Sequence, residues 1–243
     1  GELEAAVSRL AGRPRTVVGS GRTDAGVHAT GQVASVDMPT RWRADTLHRA
    51  LNAILPRDVW VQGVHRVRGD FHPRYDALTR TYAYRIGTRA EACSPFHRPW
   101  CWALGEDLDA EALARAALPV EGEHSFLAFA KAGQPERGDR CRVAAAAWNA
   151  WELGLRLTIT ADRYLHHMVR YLVGTMVDVA RGRRPVEDMT ALLRSRPGLE
   201  TSPPPPPPRP PPAGGGGAGH PRRPAPAPGP PPPPHARPTA PPP

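Results

Sequence analysis

The sequence predicts an α+β fold with a mixed, mostly antiparallel sheet. Apolar residues recur at helical spacing near the start of the chain and again over residues 164–181. Apolar and polar residues alternate over 77–86 and 141–162, which is typical of half-buried strands. These segments follow one another without a regular strand–helix rhythm, and this favours α+β over a parallel α/β sheet.

Taken in order, each element has a local signal in the sequence. The helices are predicted over residues 2–10, 45–55, 109–118, 164–181 and 185–195. The strands are predicted over 17–18, 32–38, 58–67, 77–86, 141–152 and 153–162, with a short element over 123–129. Asp45 and Asp109 are candidate N-caps, Gly182 closes the longest helix, and Gly154 marks a hairpin turn. Leu113 and Leu118 are expected to face inward from the third helix.

The domain organisation is predicted as one domain in two halves, residues 1–85 and 86–200, followed by a tail. Residues 201–243 consist almost entirely of Pro, Gly, Ala and Arg, which leaves too few apolar side chains for a core. This composition predicts a disordered, dispensable tail. The tail holds four arginines and no acidic residue, so residues 1–200 carry +5 of the net charge of +9. A modest basic excess suits an anionic partner, although a strong arginine and alanine bias also reflects genome composition.

The cysteines and the apolar runs indicate where the protein works. Cys93, Cys101 and Cys141 form no Cys-x-x-Cys pair, and their sparse, odd number argues against a disulfide framework. We therefore expect a reduced, cytoplasmic protein. No apolar run is long enough to predict a membrane span.

The segment Gly19–Ala29 carries the strongest candidate for chemistry. It places the carboxylate of Asp24 between Arg22 and the small residues Ala25 and Gly26, after a strand-like run. This pattern predicts a tight turn at a strand end, with a guanidinium that keeps the carboxylate ionised. An aspartate held in this way acts as a nucleophile or as a base. For an isolated Arg-x-Asp, a structural turn with a surface ion pair would be the better interpretation.

Two further segments carry candidate binding residues. On the predicted strand over 77–86, Arg80, Tyr82 and Tyr84 share one face, so an aromatic ring there would stack on a flipped base while Arg80 contacts phosphate. For this segment taken alone, an ordinary tyrosine-rich strand would be the better interpretation. The third segment, residues 164–174, contains the adjacent pair His166 and His167. Adjacent side chains diverge on a helix and no third ligand has suitable spacing, so we expect no metal.

Taken together, these segments resemble the bacterial tRNA pseudouridine synthase A family. Residues 21–29 match the family motif G-R-T-D-A-G-V-H-A, residues 80–84 match R-x-Y-x-Y, and residues 164–174 match F-L-H-H-M-V-R-x-x-V-G with Tyr164 in place of Phe. The resemblance covers about residues 1–198. It implies a pseudouridine synthase fold, in which helices flank the sheet and a central cleft binds RNA. It also implies isomerisation of uridine at positions 38, 39 and 40 of the anticodon stem-loop of tRNA.

The resemblance also implies a role for each site residue. Asp24 would be the catalytic nucleophile, acting on the ribose or on the ring, or else a base. Tyr82 would stack on the target base, Arg22 would help to evict it and hold phosphate, and Arg170 would pair with Asp24. The family works as homodimers without metal or cofactor.

Two departures from the family pattern leave an alternative open. The family's initial strand with its Y-D-G-x-x-F-x-G-W-Q segment does not precede Gly1, and low-complexity sequence stands in place of a final G-L-x-L strand. We therefore expect a sheet that lacks a strand at each end. The alternative function is that of a catalytically impaired relative that only binds RNA. An aspartate-dependent hydrolase is a third possibility, but the sequence lacks the second carboxylate or metal set that such enzymes use.

Overall fold

A computed structural model describes residues 1–23, 26–131 and 138–206 of the chain. Asp24 and Ala25 lie outside the described residues, as does everything from residue 207 onward. The chain divides into two units, Gly1–Pro211 and Pro212–Pro243, of which the second lies wholly outside the described residues.

The predicted α+β class is confirmed, and helices and strands mix along the chain. The helices are α1 (Glu2–Ala11), α2 (Ala44–Ile54), α3 (Ala110–Ala117), α4 (Met168–Ala180) and α5 (Glu187–Leu193). The strands are β1 (Val18–Gly19), β2 (Ala34–Ser35), β3 (Arg80–Gly87), β4 (Trp102–Ala103), β5 (Gly122–Ser125), β6 (Arg140–Trp151) and β7 (Gly154–Ala161). Within the described ranges, no helix has both the length and the apolar character needed to cross a membrane.

The main sheet has five strands in the order β4-β3-β7-β6-β5 and is antiparallel except for the β3–β4 pair. The long hairpin β6–β7 forms where the alternation predicted it. Gly154 opens β7 at a point where a Cβ atom would collide with the carbonyl oxygen of Ile86 and the backbone nitrogen of Thr88, so only glycine fits there. The close approach of these backbones joins the hairpin turn to the end of β3.

The principal core lies between the inner face of this sheet and the helices α3, α4 and α5. Ile86, Leu157 and Ile159 from the strands are fully buried, as are Leu172 and Met176 from α4. Asp109 caps α3 as predicted, since its Oδ1 accepts a hydrogen bond of 2.9 Å from the backbone nitrogen of Ala112. Leu113 is buried as expected, but Leu118 is 68% exposed because the helix has already given way to a 3-10 turn.

A smaller core lies between α1 and α2, where Val7, Leu47 and Leu51 are buried. Arg43, not Asp45, is the N-cap residue of α2, and Asp45 lies in its first turn. The strand predicted over 58–67 does not form. Val61 instead uses its backbone N–H and C=O to bind the side-chain amide of Asn52, at 2.9 and 2.8 Å, so these groups are not free to pair with a strand. The strand predicted over 32–38 is reduced to β2, which pairs with β1.

Helix α4 begins at Met168, four residues later than predicted. Tyr164 is held by the sheet, because its hydroxyl shares its one proton between the carbonyls of Arg80 and Ile159, at 3.0 and 2.9 Å. His167 then adopts a left-handed backbone with φ of 64°, which a continuous helix does not permit. Residues 164–167 therefore form a turn that leads from β7 into α4.

The described residues extend past residue 200, and the first residues of the predicted tail contact the rest of the chain. Ser202 is 6% exposed, and its backbone nitrogen donates to Oγ1 of Thr175 on α4 at 3.2 Å. Arg184 donates to the Ser202 hydroxyl at 3.0 Å and to the Glu200 carbonyl at 2.9 Å. We call residues 200–206 the strap, because they run across α4 to the inner face of β3.

Candidate active site

Strand β3 presents Arg80, Tyr82 and Tyr84 on the face that meets α4, as the sequence predicts. Tyr82 is opposite Ile159 and Tyr84 opposite Leu157 in the antiparallel ladder with β7. Exposure follows this alternation, because Tyr84 is buried and Tyr82 partly buried while the intervening Ala83 is exposed. The three side chains thus form a row in which Tyr82 is the middle member.

The ring of Tyr82 is supported by the turn before α4. It packs edge-to-face against Tyr164, with ring centroids 4.7 Å apart and planes at 82°. Two carbonyl hydrogen bonds fix the Tyr164 hydroxyl, and burial raises its pKa above the usual range. Tyr82 is therefore an aromatic side chain of fixed position that stays partly accessible, which is what a stacking platform for a base needs.

The loop that carries Asp24 is fixed on both sides of the aspartate. Before it, Ser20 donates its backbone N–H to Val33 at 2.8 Å, and the Gln32 amide donates to the Gly21 carbonyl at 2.5 Å. After it, the ring of His28 lies against that of Trp100, with centroids 4.8 Å apart. Sequence reasoning did not identify these supporting contacts.

Arg22, the second candidate on this loop, is exposed. Asp24 itself lies outside the described residues, so its role as nucleophile stays a prediction.

Arg80, which the sequence suggested as a phosphate contact, binds the protein's own backbone. Its guanidinium donates to three backbone carbonyls, those of Ser20 at 3.1 Å, Arg74 at 2.7 Å and Asp162 at 2.9 Å. These bonds use three of the five N–H donors of the guanidinium, and a phosphate contact of Arg80 stays a prediction.

Arg170 projects from the first turn of α4 toward the strap. Its Nε and Nη2 atoms donate to the Pro205 carbonyl at 3.0 and 2.8 Å, and its Nη1 lies 3.5 Å from Nε2 of His167. The Tyr84 hydroxyl donates to the next carbonyl, that of Pro206, at 3.1 Å. Burial raises the pKa of Tyr84 above its usual range, and the positive charge of Arg170 opposes that rise. The predicted pair of Arg170 with Asp24 stays a prediction, because Asp24 is outside the described residues.

The candidate site residues are thus arranged along β3. The Asp24 loop is attached at the Arg80 end, Tyr82 lies in the middle, and Arg170 lies at the Tyr84 end. The sequence identified the tyrosine and the arginine, but not the strap that binds the arginine. The sequence feature that could have indicated the strap is Gly174, because a side chain there would overlap the Pro203 carbonyl oxygen.

Comparison with known proteins shows the family to which the chain is similar. A family model described as tRNA pseudouridine synthase matches residues 1–76 and 116–210. The chain is 39% identical over 196 residues to tRNA pseudouridine synthase A of Moorella thermoacetica, covering 81% of this chain and 79% of the relative. It is 40% identical over 205 residues to the protein of the same name from Paramagnetospirillum magneticum, covering 81% and 77%.

The chain therefore belongs to the tRNA pseudouridine synthase family. Within that family, the relatives that it resembles carry the name tRNA pseudouridine synthase A.

Proposed function

We propose that this protein isomerises uridine to pseudouridine in tRNA, with Asp24 as the catalytic nucleophile. Membership of the family is the observation that carries the proposal, because it comes with the complete Asp24 motif. The described geometry supports it. A partly accessible tyrosine, Tyr82, lies between the anchored loop and the side chain of Arg170.

The reaction explains why these residue types are needed. The bond between N1 of uracil and C1′ of the ribose breaks, the base turns, and a bond from C5 to C1′ forms. The hydrogen on C5 leaves as a proton and N1 gains one, so no electrons or groups are exchanged with a second reactant. A stacked base is out of reach of the protein, and the nucleotide must first be flipped out of its helix.

Each residue then has a distinct task in the proposal. Arg22, exposed on the loop, contacts the RNA backbone as the nucleotide leaves the stack. Tyr82 stacks on the flipped uracil. Arg170 favours the charged form of Asp24, because a carboxylate in a site that excludes water would otherwise take up a proton.

The finer specificity is also part of the proposal. We infer that the targets are positions 38, 39 and 40 in the anticodon stem-loop and that the protein acts in the cytoplasm as a homodimer. The family motifs over residues 21–29 and 164–174 support the target positions and the dimer, and the sparse cysteines support the location. The net charge of +9 suits a salt-sensitive contact with the RNA backbone.

A tritium-release assay tests the proposal. Transfer RNA labelled with tritium at C5 of uridine should release the label to water on incubation with the protein, and Asp24→Asn should abolish the release while it preserves tRNA binding. Transcripts with cytidine at positions 38, 39 and 40 should release nothing.

Three outcomes would count against parts of this proposal. Binding of tRNA without release by the wild type would favour the protein that only binds RNA. Turnover by pure Asp24→Asn would remove Asp24 from the chemistry. Release from the cytidine transcript would place the target elsewhere.

A further inference from the structure

We propose that Arg80 is a positioning residue that fixes the Asp24 loop against the strand that carries Tyr82. This inference deepens the proposed function and rests on it. Its foundation is the set of three hydrogen bonds by which the Arg80 guanidinium joins segments far apart in sequence.

The geometry of these bonds suits an arginine and no other side chain. Nη2 donates to Ser20 at 3.1 Å and to Arg74 at 2.7 Å, while Nη1 donates to Asp162 at 2.9 Å. These acceptors belong to the start of the Asp24 loop, to the segment before β3 and to the residue after β7. A guanidinium is planar, always charged and has five N–H donors in fixed directions, so it can serve three acceptors at once. Hydrogen bonds from a charged donor are also stronger than neutral ones.

The position of Arg80 makes the bond to Ser20 relevant to the reaction. Ser20 precedes Asp24 by four residues, so even a fully extended chain separates them by at most about 14 Å. On the other side, Tyr82 follows Arg80 by two residues on the same face of β3, a separation of about 7 Å. Arg80 thus links the backbone of the Asp24 loop directly to β3, the strand that carries Tyr82.

A second contact links Arg80 to Tyr164, the residue that supports the ring of Tyr82. The Arg80 carbonyl accepts a hydrogen bond of 3.0 Å from the Tyr164 hydroxyl, and the Tyr164 ring packs on Tyr82. The side chain of Arg80 therefore holds the loop while its main chain holds the ring that supports Tyr82. The Asp24 loop and Tyr82 therefore share Arg80 as an anchor. A shift of Arg80 changes the distance between the Asp24 carboxylate and the uracil that stacks on Tyr82.

Two explanations of Arg80 predict opposite behaviour of its variants. If Arg80 contacts phosphate, Arg80→Lys keeps most of the function, and Arg80→Met weakens tRNA binding and lowers the magnitude of its salt slope by about 1. If Arg80 positions the loop, Arg80→Lys fails, because a compact ammonium on a flexible stem cannot reproduce the planar fork. A displacement of about 1 Å costs about 100-fold in rate, so we expect kcat to fall by about 10- to 100-fold.

The experiment compares Arg80→Lys and Arg80→Met with Arg85→Met in the full chain. Arg85 is the matched control, since it lies on the same strand with an exposed side chain, and its guanidinium is 5.5 Å from the centre of the Trp151 ring. Hydrogen exchange of residues 20–29 is measured first. It should be faster in both Arg80 variants and unchanged in Arg85→Met, and this readout needs no activity, so it stays informative if the proposed function fails.

Kinetics and binding complete the test. Both Arg80 variants should lose kcat for tritium release while Kd for tRNA and the slope of log Kd against log salt concentration stay as in the wild type. Unchanged exchange of residues 20–29 in Arg80→Met would overturn the proposal. So would normal kcat in Arg80→Lys, or a weaker Kd with a reduced salt slope at unchanged kcat in Arg80→Met.

Discussion

The substitution Gly174→Ala tests whether the strap packs on α4. With the strap in place the substitution should lower the free energy of unfolding, and without it the substitution should raise it. In the interior of a helix, replacing glycine by alanine normally stabilises a protein by about 1 kcal/mol. In α4 the new Cβ would overlap the Pro203 carbonyl oxygen and lie 3.3 Å from both the Pro203 carbonyl carbon and Cδ of Pro205. The overlap involves backbone atoms, which cannot turn away as a flexible side chain can.

The magnitude follows from the contacts that the strap would lose. Overpacking of this kind costs about 1–3 kcal/mol, and loss of the hydrogen bond from Ser202 to Thr175 costs about 1 kcal/mol more. Set against the gain in helix propensity, the net effect is a loss of about 1–3 kcal/mol in the free energy of unfolding. Displacement of Pro205 also removes the two hydrogen bonds that Arg170 donates to its carbonyl, so kcat should fall as well.

Urea denaturation of the full chain measures the stability change, and a chain that ends at Glu200 provides the control. In the shorter chain no strap lies over Gly174, so the same substitution should stabilise by about 1 kcal/mol. A Gly174→Ala variant of the full chain that is more stable than the wild type would refute the packing of the strap on α4. Equal kcat in chains ending at Pro211 and at Glu200 would refute the role of the strap in holding Arg170 for the reaction.

Three other outcomes are expected. Tyr82→Phe should bind tRNA as the wild type does, whereas Tyr82→Leu should lose about 1–3 kcal/mol of binding in a fluorescence titration; equal affinities would exclude stacking. Iodoacetamide at pH 8 should label exposed Cys93 but neither Cys101 nor Cys141, because both are buried and burial raises the pKa of the Cys141 thiol to about 11; mass spectrometry locates the label. Burial raises the pKa of the Tyr164 hydroxyl, so its contribution to stability is complete below its unfolded pKa of about 10 and is lost as pH rises through the folded value. The urea midpoint should therefore decline above about pH 10, and less steeply in Tyr164→Phe.

Local periodicity was sufficient to predict much of the fold. The alternation through Tyr82 and Tyr84 predicted both β3 and the face on which the tyrosines lie, and the helix cap at Asp109 was found from residue type alone. The strand expected over 58–67 failed because the Asn52 side chain takes the peptide groups of Val61, which is a tertiary contact that alternation does not encode.

The candidate site was predicted less completely than the fold. Arg170 was identified from its motif, but its acceptor was not, because a proline-rich composition indicates low complexity and says nothing of where a single carbonyl lies. The start of α4 was placed too early for a similar reason, since the contacts of Tyr164 with the sheet decide it. Likewise, the sequence suggested phosphate for Arg80, whereas its guanidinium donates to three backbone carbonyls, of which those of Ser20 and Asp162 are 60 and 82 residues away in sequence.

The chemical nature of the strap has a consequence for the electrostatics of the site. Each proline of residues 203–206 has a carbonyl but no N–H, so this stretch of backbone can accept hydrogen bonds and cannot donate them. Pro205 therefore orients the Arg170 guanidinium with a dipole rather than with an opposite charge. A carboxylate in the same place would hold the arginine equally well but would cancel its field. A neutral acceptor holds the side chain in place without itself neutralising the charge of the guanidinium.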